Sequence, residues 1–497
     1  MSKFTLSIDQ GTTSTRSIIF DQNFNIIASH QIEFEQIFPK DGCVEHNPEE
    51  IFESVLETAR IAIKTASISV DQIVGMGIAN QRETTVLWNK ETGKPIYNAI
   101  VWQDRRTVNY CKELVKKGFT KKIQNITGLV IDAYFSATKV KWILDNIAVA
   151  DTLLSEDKLL FGTIDTWVLW KLTEGRSHLT EATNASRTML YDIKKNIWSD
   201  ELLKLFNIPK KILPEVKDSA DHFGYTNLLG GKISIGGIAG DQQAATIGQA
   251  CFEEGSIKST YGTGCFMLMN TGSKFKVSKN NLLSTIAYRL KGQTCYALEG
   301  SIFIAGAAVQ WLRDSLKMIK SAEETEELYT QNDKSTQIYL VPAFVGLGAP
   351  YWDGEARGAI FGMTRNTGIA DFVKAAIDSI AYQTKDLIVA MEKDSGLKIS
   401  NIKVDGGMVK NEQFLQFLSN ILISKCDRPK IIETTALGAA YLSGLTSGLL
   451  KDISEISKKW QSDKVFQPKL HKKEVKYLYQ GWLKAVKKTI VKRNTKK

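Results

Sequence analysis

One pattern occurs twice in this chain. Lys3 to Gln22, KFTLSIDQGTTSTRSIIFDQ, runs as a strand, breaks into Gly, Thr and Ser, and resumes as RSIIFD. Ile257 to Gly272, IKSTYGTGCFMLMNTG, is again strand, Gly-Thr loop, strand. Phe4, Leu6 and Ile8 alternate with Thr5, Ser7 and Asp9, the period of a strand with one buried face. Gly11 and Gly262 stand about half a chain apart, which implies two similar halves, each offering a hairpin to a cleft between them. A chain of 497 residues is too long for one ordinary core and fits two large domains. No Pro-rich or Ser-rich linker separates them. The hinge is therefore short and is placed around 246–256, giving domains at 1–250 and 251–497.

Helical stretches follow the first hairpin. PEEIFESVLETARIAIKTA carries Pro48 in a plausible first turn. QIVGMGIAN reads as a short apolar strand, and TTVLWN as its neighbour. Strands alternating with helices imply the α/β class.

Several functions are excluded by what is missing. No G-x-x-x-x-G-K-[ST] occurs, which removes a P-loop. Gly75 and Gly77 are followed by Asn80, and Gly262 and Gly264 by Met267, where a dinucleotide fingerprint needs a third glycine. Six cysteines show no C-x-x-C pair, and with five scattered histidines they give no metal-ligand spacing. Reduced thiols and a cytoplasmic location are the simplest account. The N-terminus enters a strand with no signal-peptide pattern, and no apolar run is long enough for a bilayer. The net charge is +10, spread along the chain and thickening only in HKKEVKYLYQGWLKAVKKTIVKRNTKK. That tail reads as a final amphipathic helix with a solvated basic face and a frayed end, not as a nucleic-acid or membrane-surface arm.

The candidate chemistry sits in five places. In the first loop, Gly11 allows close approach of backbone to ligand, and Thr12, Thr13, Ser14 and Thr15 offer four consecutive hydroxyls. Such a loop suits phosphate oxygens, with Arg16 adding charge and Asp9 able to hold Mg²⁺. A turn-rich surface hairpin is the plainer reading, but it needs no such run of hydroxyls. In ISIGGIAGDQQAATIGQ, Asp241 stands at a strand end and helix start, as a general base or as a helix cap. VDGGMVKNEQFLQFLSNILI is strand, Gly406-Gly407 turn and helix, with Asn411 near the turn and Phe414, Phe417, Leu418, Ile421 and Leu422 on one core face. SIFIAGAAVQWLRD places Gly306 and Ala307 where packing is close, with Gln310 one turn on. ANQRETTVLW puts Arg82 and Glu83 side by side at a turn, either as polyol ligands or as a surface ion pair. Trp102 and Tyr134 are core aromatics or ligand walls.

Taken together these stretches resemble the FGGY carbohydrate kinases, nearly end to end and in family order. The carrying segments are IDQGTTSTRSIIFD, GMGIANQRETTVLWNKETGKPIYNAIVWQDRR, TGLVIDAYFSATKVKWILD, FGTIDTWVLWKLT, TNASRTMLYDI, GIAGDQQAA, YGTGCFMLMNTG, VPAFVGLGAPYWD and VDGGMVKNEQF. YFSATKVKWILDN and GAIFGMTRNTGIADFVKAAID are similar to the two family signatures. The resemblance implies two RNase H-like α/β domains of the actin and sugar kinase superfamily, with an interdomain catalytic cleft. It is nearest to members that act on glycerol, implying ATP-dependent phosphorylation to sn-glycerol 3-phosphate with Mg²⁺, in a homo-oligomer (dimer or tetramer).

Carried over position by position, Thr12, Thr13, Ser14 and Arg16 contact ATP phosphates, and Thr12 also touches the product phosphate. Thr263, Gly306, Gln310, Gly407 and Asn411 line the nucleotide site. Arg82, Glu83, Tyr134, Asp241 and Gln242 bind the glycerol hydroxyls, while Trp102 and Phe266 cover its carbon face. Asp241 is the implied catalytic base, and Asp9 part of the metal site. Many bacterial members carry a Gly-rich loop with an Arg before GIAGDQ, where fructose bisphosphate inhibits. Here NLLGGKISIGGIAGDQ is shorter, with Lys232 and no Arg. His222 in DSADHFGYT has surroundings unlike those of the histidine phosphorylated in other members. A family kinase of a tetritol or pentulose, and a scaffold without turnover, remain open on sequence.

Overall fold

The molecule is built on two mixed sheets of the same plan. A computed structural model of the chain describes residues 2–332 and 337–491. In the first sheet Phe4–Gln10 and Ser14–Asp21 form an antiparallel hairpin, extended by Ile26–Glu33. On the hairpin's other side lie Ile73–Asn80 and Ile233–Gly240, both parallel to it, and then antiparallel Ala220–Thr226. The second sheet repeats this with hairpin Ile257–Tyr261 and Cys265–Gly272, then Gln293–Ile302 and Leu283–Leu290 on one side. Parallel Asn401–Asp405 and Lys425–Pro429 lie on the other, edged by antiparallel Ser462–Phe466. The repeat read from two Gly-Thr loops thus extends to the centre of both sheets, a hairpin beside two parallel strands, while the outer strands differ in number and chain order.

The strand next to QIVGMGIAN is not the one expected. Thr85–Asn89 belongs to a separate four-stranded sheet with Glu45–His46, Ala99–Ile100 and Leu159–Thr163. Both flanks of Ile73–Asn80 are already taken by parallel partners. The chain leaves the sheet through Glu83, whose φ of 62° turns it aside.

Helices cover these sheets through apolar faces. Pro48–Ala66 starts at an Asn47 cap, with Pro48 in its first turn, and buries Ile51, Phe52, Val55, Ala59 and Ala62. Glu412–Leu422 buries Phe414, Phe417, Leu418 and Ile421 as its periodicity requires, while Leu422 is half-buried. The basic C-terminal stretch forms Lys472–Thr489, anchored by Trp482, whose Nε1 donates to Asp386 at 2.8 Å. The frayed end expected after it falls mostly outside the described residues. All six cysteines are buried and free. Among the described residues no helix is long and apolar enough to cross a membrane.

The two halves meet at helices Asp241–Gly248 and Thr434–Thr446, the elements that follow equivalent strands. Their backbones touch. A Cβ added to Gly438 would lie 1.8 Å from the Ala244 carbonyl oxygen, and one added to Gly248 would lie 2.0 Å from that of Thr434. Glycine is required at both positions because the opposing atoms are main chain and cannot yield. Gly438→Ala is therefore expected to cost roughly 1–3 kcal/mol of stability through overpacking. Gly354→Ala, where a Cβ meets nothing within 4 Å, is expected to stay within about 0.5 kcal/mol. Thermal or denaturant unfolding of the two variants measures the difference.

Candidate active site

The first loop is held from behind by amides. The Gly11 carbonyl accepts from Gln10 Nε2 at 2.8 Å and Gln81 Nε2 at 3.1 Å, and the Thr12 carbonyl accepts from Gln36 Nε2 at 3.1 Å. His46, fully buried, joins these supports. Its Nε2 donates to Gln36 Oε1 at 2.8 Å, and its Nδ1 accepts from Gln81 Nε2 at 3.4 Å. One ring nitrogen donates and the other accepts, which is the neutral imidazole. Burial holds His46 down at about 4. The carbonyls that would repel an anion are thus committed to the protein. Thr13 lies exposed at the loop tip, and its carbonyl accepts from Phe34 N at 3.3 Å. Ser14 Oγ accepts from Gln31 Nε2 at 2.9 Å. Arg16 Nε donates to Gln31 Oε1 at 2.9 Å, and its guanidinium pairs with Glu433 from the second half.

A wall of rings adjoins this loop. Trp102 Nε1 donates to Thr12 Oγ1 at 2.9 Å. Its ring stands edge-on to Tyr134 at 5.5 Å and to Phe266 at 6.3 Å between centroids. Tyr134 is placed by Lys139, whose buried Nζ donates to the carbonyls of Ala133, Tyr134 and Phe135 at 2.9, 2.6 and 3.0 Å. Burial lowers that ammonium to about 8.

Beside the rings lies a buried charge cluster. Arg82 Nε is 3.2 Å from Asp241 Oδ1 and 4.0 Å from Glu83 Oε1. Arg82 and Glu83 are almost fully buried, so this is no surface pair; the Asp241 side chain keeps 30% of its exposure. Gln242 donates to Asp241 through its N–H at 2.7 Å and its Nε2 at 3.1 Å. Its Oε1 accepts from Lys258 Nζ, on the second half's hairpin. Glu83 pairs with Arg187 Nε at 2.5 Å. Arg82 and Arg187 both pair with Glu299, at 2.6 and 3.0 Å. Burial alone would raise the Glu299 carboxyl, but Arg187 and Arg82 outweigh it and hold it down at about 2. Burial outweighs the same arginines at Glu83, whose carboxyl is raised.

Sequence reasoning missed Arg187, Glu299, Lys258 and Lys139. One signal was available. Glu299 is the one charge in Cys295–Gly300, a stretch of strand buried on both faces. Arg187 sat unremarked inside TNASRTMLYDI.

Three pieces of the second half converge on the other side. The carbonyl of Gly262 accepts from Gly306 N at 2.9 Å, and that of Thr263 accepts from Ala305 N at 2.9 Å and Ala307 N at 3.0 Å. The second loop thereby joins the N-terminus of helix Gly306–Asp314, on which Gln310 is exposed. Gly406 has φ +90° and approaches Tyr261 so closely that a Cβ would meet its carbonyl oxygen at 2.5 Å. Gly407 next to it is open, with nothing within 4 Å of a Cβ. Asn411 has local duties. Its Oδ1 caps helix Glu412–Leu422 through Phe414 N at 2.8 Å, and its Nδ2 donates to Thr325 Oγ1 at 3.1 Å.

Asp9 carries the test of a cation site. Burial, then the facing carboxylates of Asp241 and Glu433, push it up to about 7 against the pull of Arg16. A cation would relieve that excess of negative charge, so the donor set fits one. Among the described residues no group of three or more His, Cys, Asp and Glu could hold a metal ion. An ion here would draw most ligands from phosphate and water, as Mg²⁺ commonly does.

Comparison with known proteins identifies the family. The model for the N-terminal domain of the FGGY family of carbohydrate kinases matches residues 4–248, and that for its C-terminal domain matches residues 257–447. A curated glycerol kinase of Fusobacterium nucleatum is 54% identical, covering 98% of this chain and 99% of the relative. Glycerol kinase 2 of Thermotoga maritima is 54% identical over the same shares. The crystal structure of Plasmodium falciparum glycerol kinase with ADP superposes with TM-score 0.93, at 38% identity and 99% coverage of both chains. Ligand-bound xylulose kinase from Lactobacillus acidophilus, at 23% identity, shares the fold with TM-score 0.88 over 98% of both.

The neutral His46 behind the first loop gives a pH test. Its folded pKa of about 4 lies below the ordinary 6.5, so the unfolded chain takes up a proton first. Stability present above pH 6.5 is then lost as pH falls toward 4, by on the order of 3 kcal/mol. Denaturant unfolding at pH 7.5 and 4.5 is expected to show that His46→Gln loses less stability over this interval than the unaltered chain.

Proposed function

This chain belongs to the FGGY family of carbohydrate kinases, and from that membership we propose the residue roles by which it phosphorylates glycerol. It transfers the γ-phosphoryl group of ATP to glycerol, giving sn-glycerol 3-phosphate and ADP. The observation that carries this is 54% identity to curated glycerol kinases over nearly the whole chain, joined to a site whose charges and rings suit a polyol.

Glycerol offers three hydroxyls and little apolar area, so its binding energy comes from hydrogen bonds to charged groups, worth roughly 1.5–3 kcal/mol each. Arg82, Glu83, Tyr134, Asp241 and Gln242 bind these hydroxyls. Trp102 and Phe266 cover the carbon chain and exclude water, which would otherwise compete for the phosphoryl group. Asp241 accepts the proton of the attacking hydroxyl. The oxygen bonds to the γ-phosphorus as the bond to ADP breaks. Its partial exposure, beside otherwise buried partners, suits a group that meets substrate at the cleft wall.

Thr12, Thr13, Ser14 and Arg16 serve the ATP phosphates, with Thr12 also near the transferred group. Thr263, Gly306, Gln310, Gly407 and Asn411 line the nucleotide site. Phosphoryl transfer asks for positioning and charge neutralisation more than covalent help. Mg²⁺, when bound, supplies part of that neutralisation, and Asp9 would hold it. We place the domain division near residue 250, between the two family matches.

Asp241→Asn is expected to cut turnover by roughly 10²–10⁴-fold while the rise in melting temperature with ADP is retained; near-normal turnover would sink the base assignment. Phe266→Ala is expected to raise the KM for glycerol more than that for ATP. An ADP-release assay across glycerol, a tetritol and a pentulose is expected to favour glycerol. Preference for the longer sugars would overturn the substrate assignment.

A further inference from the structure

We propose that Glu299, contributed by the second half of the chain, is a positioning residue for glycerol. It holds the Arg82 guanidinium in the orientation that leaves a donor free for substrate, and so ties glycerol affinity to the docking of the two halves. The proposal rests on the assignment of Arg82 to glycerol.

The argument is a count of donors. A guanidinium has five N–H groups. In Arg82, Nε faces Asp241 at 3.2 Å, and Nη1 donates to Glu299 Oε2 at 2.6 Å and Gln243 Oε1 at 3.2 Å. Nη2 donates to Glu299 Oε1 at 3.1 Å. Three N–H groups are hydrogen-bonded, the Nε–H faces Asp241 as an ion pair only, and one N–H of Nη2 is left. Both Glu299 oxygens engage the guanidinium, one on each Nη nitrogen. This fork-on-fork contact fixes the plane as well as the distance. It therefore decides where the remaining N–H points.

Arg82 has other carboxylates to turn to. Asp241 and Glu83 both lie within 4.0 Å of its Nε. Without the Glu299 charge, the guanidinium is free to close on Asp241 with both forks and occupy the proposed base. Glu299 also separates like charges, since Arg187 Nη2 donates to the same Oε1 at 3.0 Å. Both arginines and Glu299 have side-chain exposures of 2% or less, so water cannot substitute for the missing carboxylate. Glu299 comes from strand Gln293–Ile302 of the second sheet, while Arg82 and Arg187 come from the first half.

Steady-state kinetics and melting curves on the full-length chain test this. Glu299→Gln is expected to raise the glycerol KM by roughly 10–100-fold, with the ATP KM within about twofold, and to lose the glycerol-induced rise in melting temperature but not the ADP-induced one. Glu299→Asp, which keeps the charge, is expected to restore part of the affinity. In an Arg82→Lys background, adding Glu299→Gln is expected to raise the glycerol KM by less than about threefold, because the two act through one contact. An unchanged glycerol KM in Glu299→Gln, or effects that multiply in the double variant, would overturn the proposal. If Glu299→Gln does not fold, Glu299→Asp decides. A selective rise in glycerol KM supports the role, and equal rises for glycerol and ATP overturn it. A glycerol-induced melting rise in the unaltered chain checks the underlying assignment separately, and its absence removes the premise and the proposal with it.

Discussion

The contact on which everything else depends is main chain against main chain. Gly248 and Gly438 let helices Asp241–Gly248 and Thr434–Thr446 touch without side chains between them. The first helix follows the last parallel strand of one half, and the second follows its counterpart in the other. Asp405, at the end of strand Asn401–Asp405, reinforces the seam by accepting from Gln249 Nε2 and Thr434 Oγ1, each at 2.8 Å. Asp241 begins one of these helices, and the Gly406–Gly407 turn follows Asp405 directly. The proposed substrate side and nucleotide side thus adjoin one contact.

Around that seam the protein buries charge, at a cost that only pairing can offset. Arg82, Arg187 and Lys258 face Glu83, Asp241 and Glu299, three cations against three carboxylates. The balance explains why Glu299 stays ionised at full burial while Asp9 is pushed up. Glu299 has two guanidinium partners, whereas Asp9 faces two carboxylates and one arginine that also serves Glu433. The same electrostatics separate two tasks. The balanced cluster suits the proposed glycerol hydroxyls, and the negative surroundings of Asp9 suit the proposed cation.

Much of this was legible in the sequence, and the reasons are local. A Gly-Thr loop between alternating strands is a short-range signal, and its recurrence near Gly262 announced the second half. Asp241 was visible because a carboxylate at a strand end and helix start is distinctive. Arg82 and Glu83 were visible as neighbours, but not as a buried pair, since burial depends on residues 187 and 299. Those partners are more than a hundred positions away, and no pattern in a single sequence links them. Thr85–Asn89 failed for a related reason. Strand propensity identified it, but which edges of Ile73–Asn80 were vacant is a property of the whole sheet. The His46 support was hidden too, because a lone histidine gives no hint of the glutamines it joins.

The repeat also explains how one fold divides labour between its halves. Equivalent positions carry different residues. Asp9 stands two residues before Gly11, and Thr260 two before Gly262. The helix after the last parallel strand begins with Asp241 in the first half and Thr434 in the second. Ile73–Asn80 ends in an amide, and Asn401–Asp405 in a carboxylate spent on the seam. The first half carries Asp9 and Asp241 at these positions, the residues proposed as cation ligand and base. The second carries hydroxyls and glycines at these positions, which suit the proposed phosphate contacts. What it returns to the first half are the charged side chains Glu299 and Lys258, each engaging a residue assigned to glycerol. On the proposed roles, a symmetric scaffold serves a directional reaction, with phosphoryl donor on one side and acceptor on the other. The proposed acceptor side therefore draws on both halves.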